Sequence, residues 1–145
     1  MKRGLTLAVL LILVVCIIVF EPFRGAPPKP EVKANGKDVP TVQGSYCWDS
    51  LLRSQCVDKI YRNGLDMTKE QKPVNVSAGA PVRIELTGDL ESVKLSQWND
   101  QKEDATVTLK NDQFNAPTEP GVYAYELNSR WKQGDGQFGF SLKVQ

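Results

Sequence analysis

Leu5–Phe20 reads LTLAVLLILVVCIIVF without a single charge, directly after Met-Lys-Arg-Gly. No other stretch constrains the chain so strongly, because so continuous an apolar run has no polar face to offer water. As a helix it is roughly 24 Å long at about 1.5 Å per residue, somewhat short of a hydrocarbon core of about 30 Å. Gly4 and Phe23 can extend it, and Lys2 and Arg3 can snorkel to the headgroups. The expectation is a transmembrane signal-anchor over residues 5–23, partnered by the lipid bilayer. Because the positive residues precede the run, residues 1–4 are expected as a cytoplasmic tip and the remainder outside the cytoplasm.

Three rival readings stay open. A cleaved signal peptide, releasing a secreted chain, needs small residues one and three positions before the cut. A cut after Ala26 places Arg24 at the third position, and one after Gly25 places Phe23 there. A lipoprotein needs a small residue before Cys16, where Val15 stands, and a polar turn after it, where Ile17–Phe20 stays apolar. The start Lys2-Arg3-Gly4-Leu5-Thr6-Leu7 resembles a type IV prepilin, but Val9 occupies that family's glutamate position and Pro22, Pro27, Pro28 and Pro30 oppose a long helix.

Residues 24–31 are proline-rich and are expected to form a semi-rigid, polyproline-like stalk. Residues 32–145 then suffice for one domain with a core. Its rhythm has period two. Val32–Ala34 and Lys37–Val39 flank Asn35-Gly36, a hairpin signal because both residues tolerate positive φ. Val74–Val76, Val82–Leu86, Val93–Leu95, Thr106–Leu109, Val122–Leu127 and Phe138–Val144 follow, separated by turn residues. Seven or eight short strands of this kind predict a mainly β, antiparallel sandwich behind one N-terminal transmembrane helix. Alternation predicts inward side chains at Val82, Ile84, Leu86, Val93, Leu95, Tyr123, Tyr125, Leu127, Phe138, Phe140, Leu142 and Val144. Asp49–Tyr61 breaks the rhythm, and Leu51, Leu52, Val57 and Ile60 could share one face of a short helix or tight loop. Gly134-Asp135-Gly136 reads as the turn between the last two strands.

The run Pro120-Gly121-Val122-Tyr123, Tyr125 and Leu127, then Trp131, then Phe138, Phe140, Leu142 and Val144, resembles the last two strands of bacterial immunoglobulin-like domains. The likeness spans about residues 74–144 and implies an immunoglobulin-like β-sandwich, although that fold's inter-sheet disulfide is missing. It implies no activity.

Composition excludes more than it proposes. The net charge is +1, and the part outside the anchor is close to neutral, so a clustered basic face for nucleic acid is not expected. There is no histidine, which removes Ser–His triads, imidazole acid–base chemistry and the commonest transition-metal ligand. No cofactor, metal site or catalytic constellation is expected, and the chain is not read as an enzyme.

Cys47 and Cys56 lie in the part expected outside the cytoplasm, where a pair forms a disulfide. Closing a loop of about ten residues contributes roughly 2.5–3 kcal/mol in the chain-entropy picture. The spacing is not Cys-x-x-Cys, and two cysteines without histidine leave zinc short of ligands. Cys16 reads as a buried or lipid-facing thiol, with reversible acylation as the alternative. Asn35–Trp48, which contains Gly44-Ser45-Tyr46-Cys47-Trp48, resembles membrane-anchored extracytoplasmic proteins of Gram-positive, Bacillus-like bacteria. That resemblance implies placement at the cell surface and a disulfide, with no activity to transfer.

Tyr46, Trp48, Trp98 and Trp131 are the candidate ligand-contacting aromatics: at strand ends they could form a platform for sugars or peptides, and otherwise they fill the core. Asp100, Glu103 and Asp104 could hold calcium or simply be a solvated loop. The function expected is a non-catalytic module binding an envelope component or partner protein. The alternatives are a structural subunit of a membrane complex and a small carboxylate-dependent wall hydrolase.

Overall fold

The computed structural model describes residues 2–20, 25–99 and 102–145, with side chains described at all of these except 2–3, 18–20 and 102–104. The apolar run forms helix α1 (Lys2–Phe20), whose 19 residues extend about 28 Å. Every described large apolar side chain along it is exposed, from Leu5 at 71% and Leu11 at 68% to Ile17 at 46%. Among the described residues, no helix is long and apolar enough to cross a membrane. The expected transmembrane span is therefore not supported as such: the apolar part of α1, after Lys2 and Arg3, is too short.

The rest is built from strands β1 (Glu31–Ala34), β2 (Lys37–Val39), β3 (Val42–Asp49), β4 (Ser54–Val57), β5 (Val74–Val76), β6 (Pro81–Glu85), β7 (Leu90–Asn99), β8 (Lys102–Val107), β9 (Gln113–Asn115), β10 (Gly121–Trp131) and β11 (Gly134–Val144). A five-residue helix, α2 (Gly64–Thr68), lies between β4 and β5. The smaller sheet has the order β2-β1-β6-β9, and the larger one β4-β3-β11-β10-β7-β8. All neighbours along both paths are antiparallel. β5 joins the larger sheet by running parallel to β11, with Leu142 opposite Val74 and Val144 opposite Val76. The outer edge of β11 is thus shared: β3 takes Gly134–Gly139 and β5 takes Leu142–Val144.

The inward faces of the two sheets form one hydrophobic cluster. Val82 and Ile84 come from the smaller sheet; Leu95, Tyr125, Leu127, Phe138, Phe140 and Leu142 come from the larger, all essentially inaccessible. The expected alternation is met at every one of these, while Leu86 and Val93 pack at the margin. Phe114 of β9 bridges the layers, its ring 5.0 Å from Tyr125 and 6.5 Å from Phe140, and Tyr125 stacks on Phe140 at 4.9 Å. The buried phenols keep hydrogen bonds, as they must in a core. Tyr125 Oη donates to Gln97 Oε1 at 3.1 Å. Tyr123, near the start of β10, donates back to the Glu119 carbonyl at 3.1 Å, tying down the loop that enters the strand.

Local turn chemistry sets the register. Asn35 and Gly36 adopt φ of 49° and 73°, the two left-handed residues that the β1–β2 hairpin was expected to need. Asn111 and Asp112, at 51° and 61°, make a similar tight turn before β9. The β10–β11 turn is Lys132–Gln133, not Gly134–Gly136, which already lies in β11 against β3. Gly134 belongs there because any Cβ would run into the Cys47 carbonyl oxygen, at a φ of 152°.

Two further expectations need correction. Asp49–Tyr61 is not a short helix; the tight-loop alternative holds at Ser50–Arg53, the turn of a β3–β4 hairpin, and Leu51, Leu52 and Ile60 are exposed. Nor is the proline-rich stretch a free spacer along its described part. Pro27, Pro28 and Pro30 are buried, and Pro27 packs so closely on Gly136 that a Cβ there would lie 2.8 Å from its Cγ.

Candidate functional site

The outer face of the larger sheet, opposite the core, carries two features. One half is covered by α2. Asn63 caps this helix by accepting from the Asp66 backbone N–H at 3.0 Å, and Asp66 Oδ2 accepts from the Arg62 N–H at 3.1 Å. The first bond satisfies one donor that a helix start would otherwise leave open, and the second ties the residue before the cap to the first turn. A hydrogen bond from Lys69 Nζ to Asp66 Oδ1 at 3.0 Å, reinforced by the Arg62 N–H, holds the Asp66 carboxyl below its ordinary range. The same bond raises Lys69. The helix sits flush because glycines lie beneath it: a Cβ on Gly139 would be 2.6 Å from Met67 Sδ.

The other half is open. Ser92 and Lys94 of β7, Asn128 and Arg130 of β10, Asp135 and Gln137 of β11, and Ser45 of β3 line a groove of about 490 Å³. Strand alternation places them here, since Leu127 and Trp131 on the same strand point into the core. The groove has an ordered polar floor. Glu126 Oε1 accepts from Gln137 Nε2 at 2.9 Å and from Asn128 Nδ2 at 3.0 Å, which fixes both amides. Arg130 reaches Glu91 at 3.8 Å, a long exposed contact of little energetic weight. The surface thus presents amides, hydroxyls and charges of both signs. Among the described residues, no group of three or more metal-ligating side chains is gathered.

The cysteines expected to pair do so. Cys47 and Cys56 face each other across β3 and β4 and are disulfide-bonded. The four candidate aromatics do not share one surface. Trp48 and Trp131 meet edge to face at 5.6 Å within the core, and Trp131 Nε1 donates to the Thr87 carbonyl at 2.8 Å. Tyr46 is half-buried, its hydroxyl accepting from Gln55 Nε2 at 3.2 Å. Trp98 lies under α2, where a Cβ on Gly64 would be 2.8 Å from its ring. Asp100 and the Glu103 and Asp104 side chains lie outside the described residues. Sequence reasoning did not find the groove. Its residues are the polar halves of alternating strands, which carry no motif.

No protein-family model, curated protein or solved structure matches the chain.

Proposed function

We propose that this protein is a non-catalytic binding module held against the outer side of a membrane by α1. The observation that carries the reading is the helix itself. Large apolar side chains stand exposed all around it, and leaving each in water forgoes roughly 1.5–3 kcal/mol. A bilayer is the solvent that removes this cost, and its thinning or a local adjustment of the headgroups accommodates a short span. Lys2 and Arg3 at the start of the helix favour a cytoplasmic N-terminus. The Cys47–Cys56 disulfide fits an oxidising compartment beyond the membrane. The cell-surface placement implied by the Asn35–Trp48 resemblance agrees with both.

The shared edge of β11, the β6–β9 and β10–β7 pairings and the Tyr123 hydrogen bond support an immunoglobulin-like arrangement for the β domain. Such a scaffold says little about activity. The polar groove supports binding, because hydrogen bonds to Glu126 hold its Asn128 and Gln137 amides fixed beside Lys94 and Arg130. Its occupant is proposed to be an envelope component or partner protein recognised by hydrogen bonds.

The test is capture from intact membranes using the anchored chain, beside a variant carrying Asn128→Ala and Arg130→Glu. The expected result is a partner retained by the parent and lost by the variant, with no fragments released from cell-wall material. Release of fragments would replace binding with hydrolysis, and equal capture by both chains would move the site off the groove.

A further inference from the structure

We propose that the tip of the β3–β4 hairpin is a second membrane contact, which dips into the lipid interface and fixes the tilt of the β domain; the inference rests on the membrane attachment proposed above. The tip is a four-residue turn, Ser50 to Arg53, closed by the Ser50 N–H donating to the Arg53 carbonyl at 2.9 Å. Its two central residues are Leu51 and Leu52, exposed at 72% and 76%. Turn centres favour Gly, Pro, Asn, Asp and Ser, each for a backbone reason, and none of those reasons selects two leucines. The folded domain gives them no packing role either. Adjacent exposed leucines on a rigid tip call for an apolar partner.

The path of the chain identifies that partner. A Cβ on Gly25 would lie 3.0 Å from Arg53 Nη2, so the chain enters the β domain at this tip. From there Pro27 packs on Gly136, and Pro28 and Pro30 are buried, so the entry point is fixed to the domain. Phe20 ends α1 only five residues earlier, a reach of at most about 18 Å even when fully extended. If α1 ends at the membrane surface, the leucines are held within reach of that surface. Arg53 beside them suits phosphate headgroups. The Cys47–Cys56 bridge is the third residue pair behind the tip and keeps the hairpin closed.

The test uses the full chain reconstituted in phosphatidylcholine–phosphatidylglycerol vesicles, with bromines placed on the upper part of the acyl chains. Two variants carry an added indole reporter, Leu52→Trp at the tip and Thr118→Trp at the opposite end of β10. That strand alone separates them by about 34 Å. Both positions are exposed, so neither change enters the core. Co-flotation with the vesicles reports attachment separately. The expected result is co-flotation of both variants, with the added emission quenched and blue-shifted at position 52 and unchanged at position 118. Co-flotation without quenching at 52, or with equal quenching at both positions, overturns the tip contact and leaves the attachment standing. Failure to float overturns both.

Discussion

Ile84 and Arg83 are neighbours in β6 with opposite fates. Ile84 is in the core beside Val82, whereas Arg83 points outward, exposed, 3.5 Å from Glu85. A charge at the first site must be buried without a partner, which costs several kcal/mol and more than a small domain can spare. Ile84→Asp is expected to lower stability by more than about 4 kcal/mol and leave no cooperative unfolding transition. Arg83→Asp is expected to shift the denaturation midpoint by the equivalent of about 1 kcal/mol or less. Comparable losses in chemical denaturation would contradict the strand assignment. At this scale the sequence was most legible. Period-two alternation located the buried faces of β6, β10 and β11, because each of those strands has one core face. It was least legible for the tryptophans. Trp131 can fill the core because its ring N–H reaches the Thr87 carbonyl, a contact 44 positions away in sequence that no local pattern announces.

Among the elements, those with strong turn chemistry were readable and those with weak apolar signal were not. Asn35-Gly36 announced its hairpin. β3 did not, because its alternating positions include Gly44 and its turn holds two leucines that imitate a helical face. β9 has only Phe114 to mark it. α2 is too short for helical periodicity; it is held by its cap and by Met67 and Thr68 packing on the sheet, with a small contribution from the exposed Asp66–Lys69 pair. Asp66 is depressed in the folded state, so its contribution is complete above the ordinary carboxylate range and is lost as pH falls through its lower folded value. Lys69 is raised, so its part is complete below the ordinary lysine value and is lost as pH rises through the higher folded one. Since α2 covers Trp98, acidification below about pH 4 is expected to change Trp98 emission before the core unfolds. Asp66→Asn should remove that early change. An unaltered early phase in the variant would show that other groups govern it.

For the molecule as a whole, the apolar helix and the disulfide are the two features on which the proposed placement rests. The helix is the described element with the most exposed apolar side chains, and a cross-strand bridge suits an oxidising compartment. The groove was invisible in the sequence because polar residues from four strands converge only when the larger sheet assembles. Under the proposals above, its position on the solvent face makes it the proposed binding face, and the hairpin tip the proposed membrane-facing end. The measurement that tests this placement most directly is thiol labelling of intact cells expressing the full chain, using a membrane-impermeant maleimide, read on carbonate-washed membranes. The expected result is a chain retained in the membrane and labelled at Cys47 and Cys56 only after an impermeant reductant is added. A chain washed into the soluble fraction, or one labelled only after the cells are broken, would contradict it.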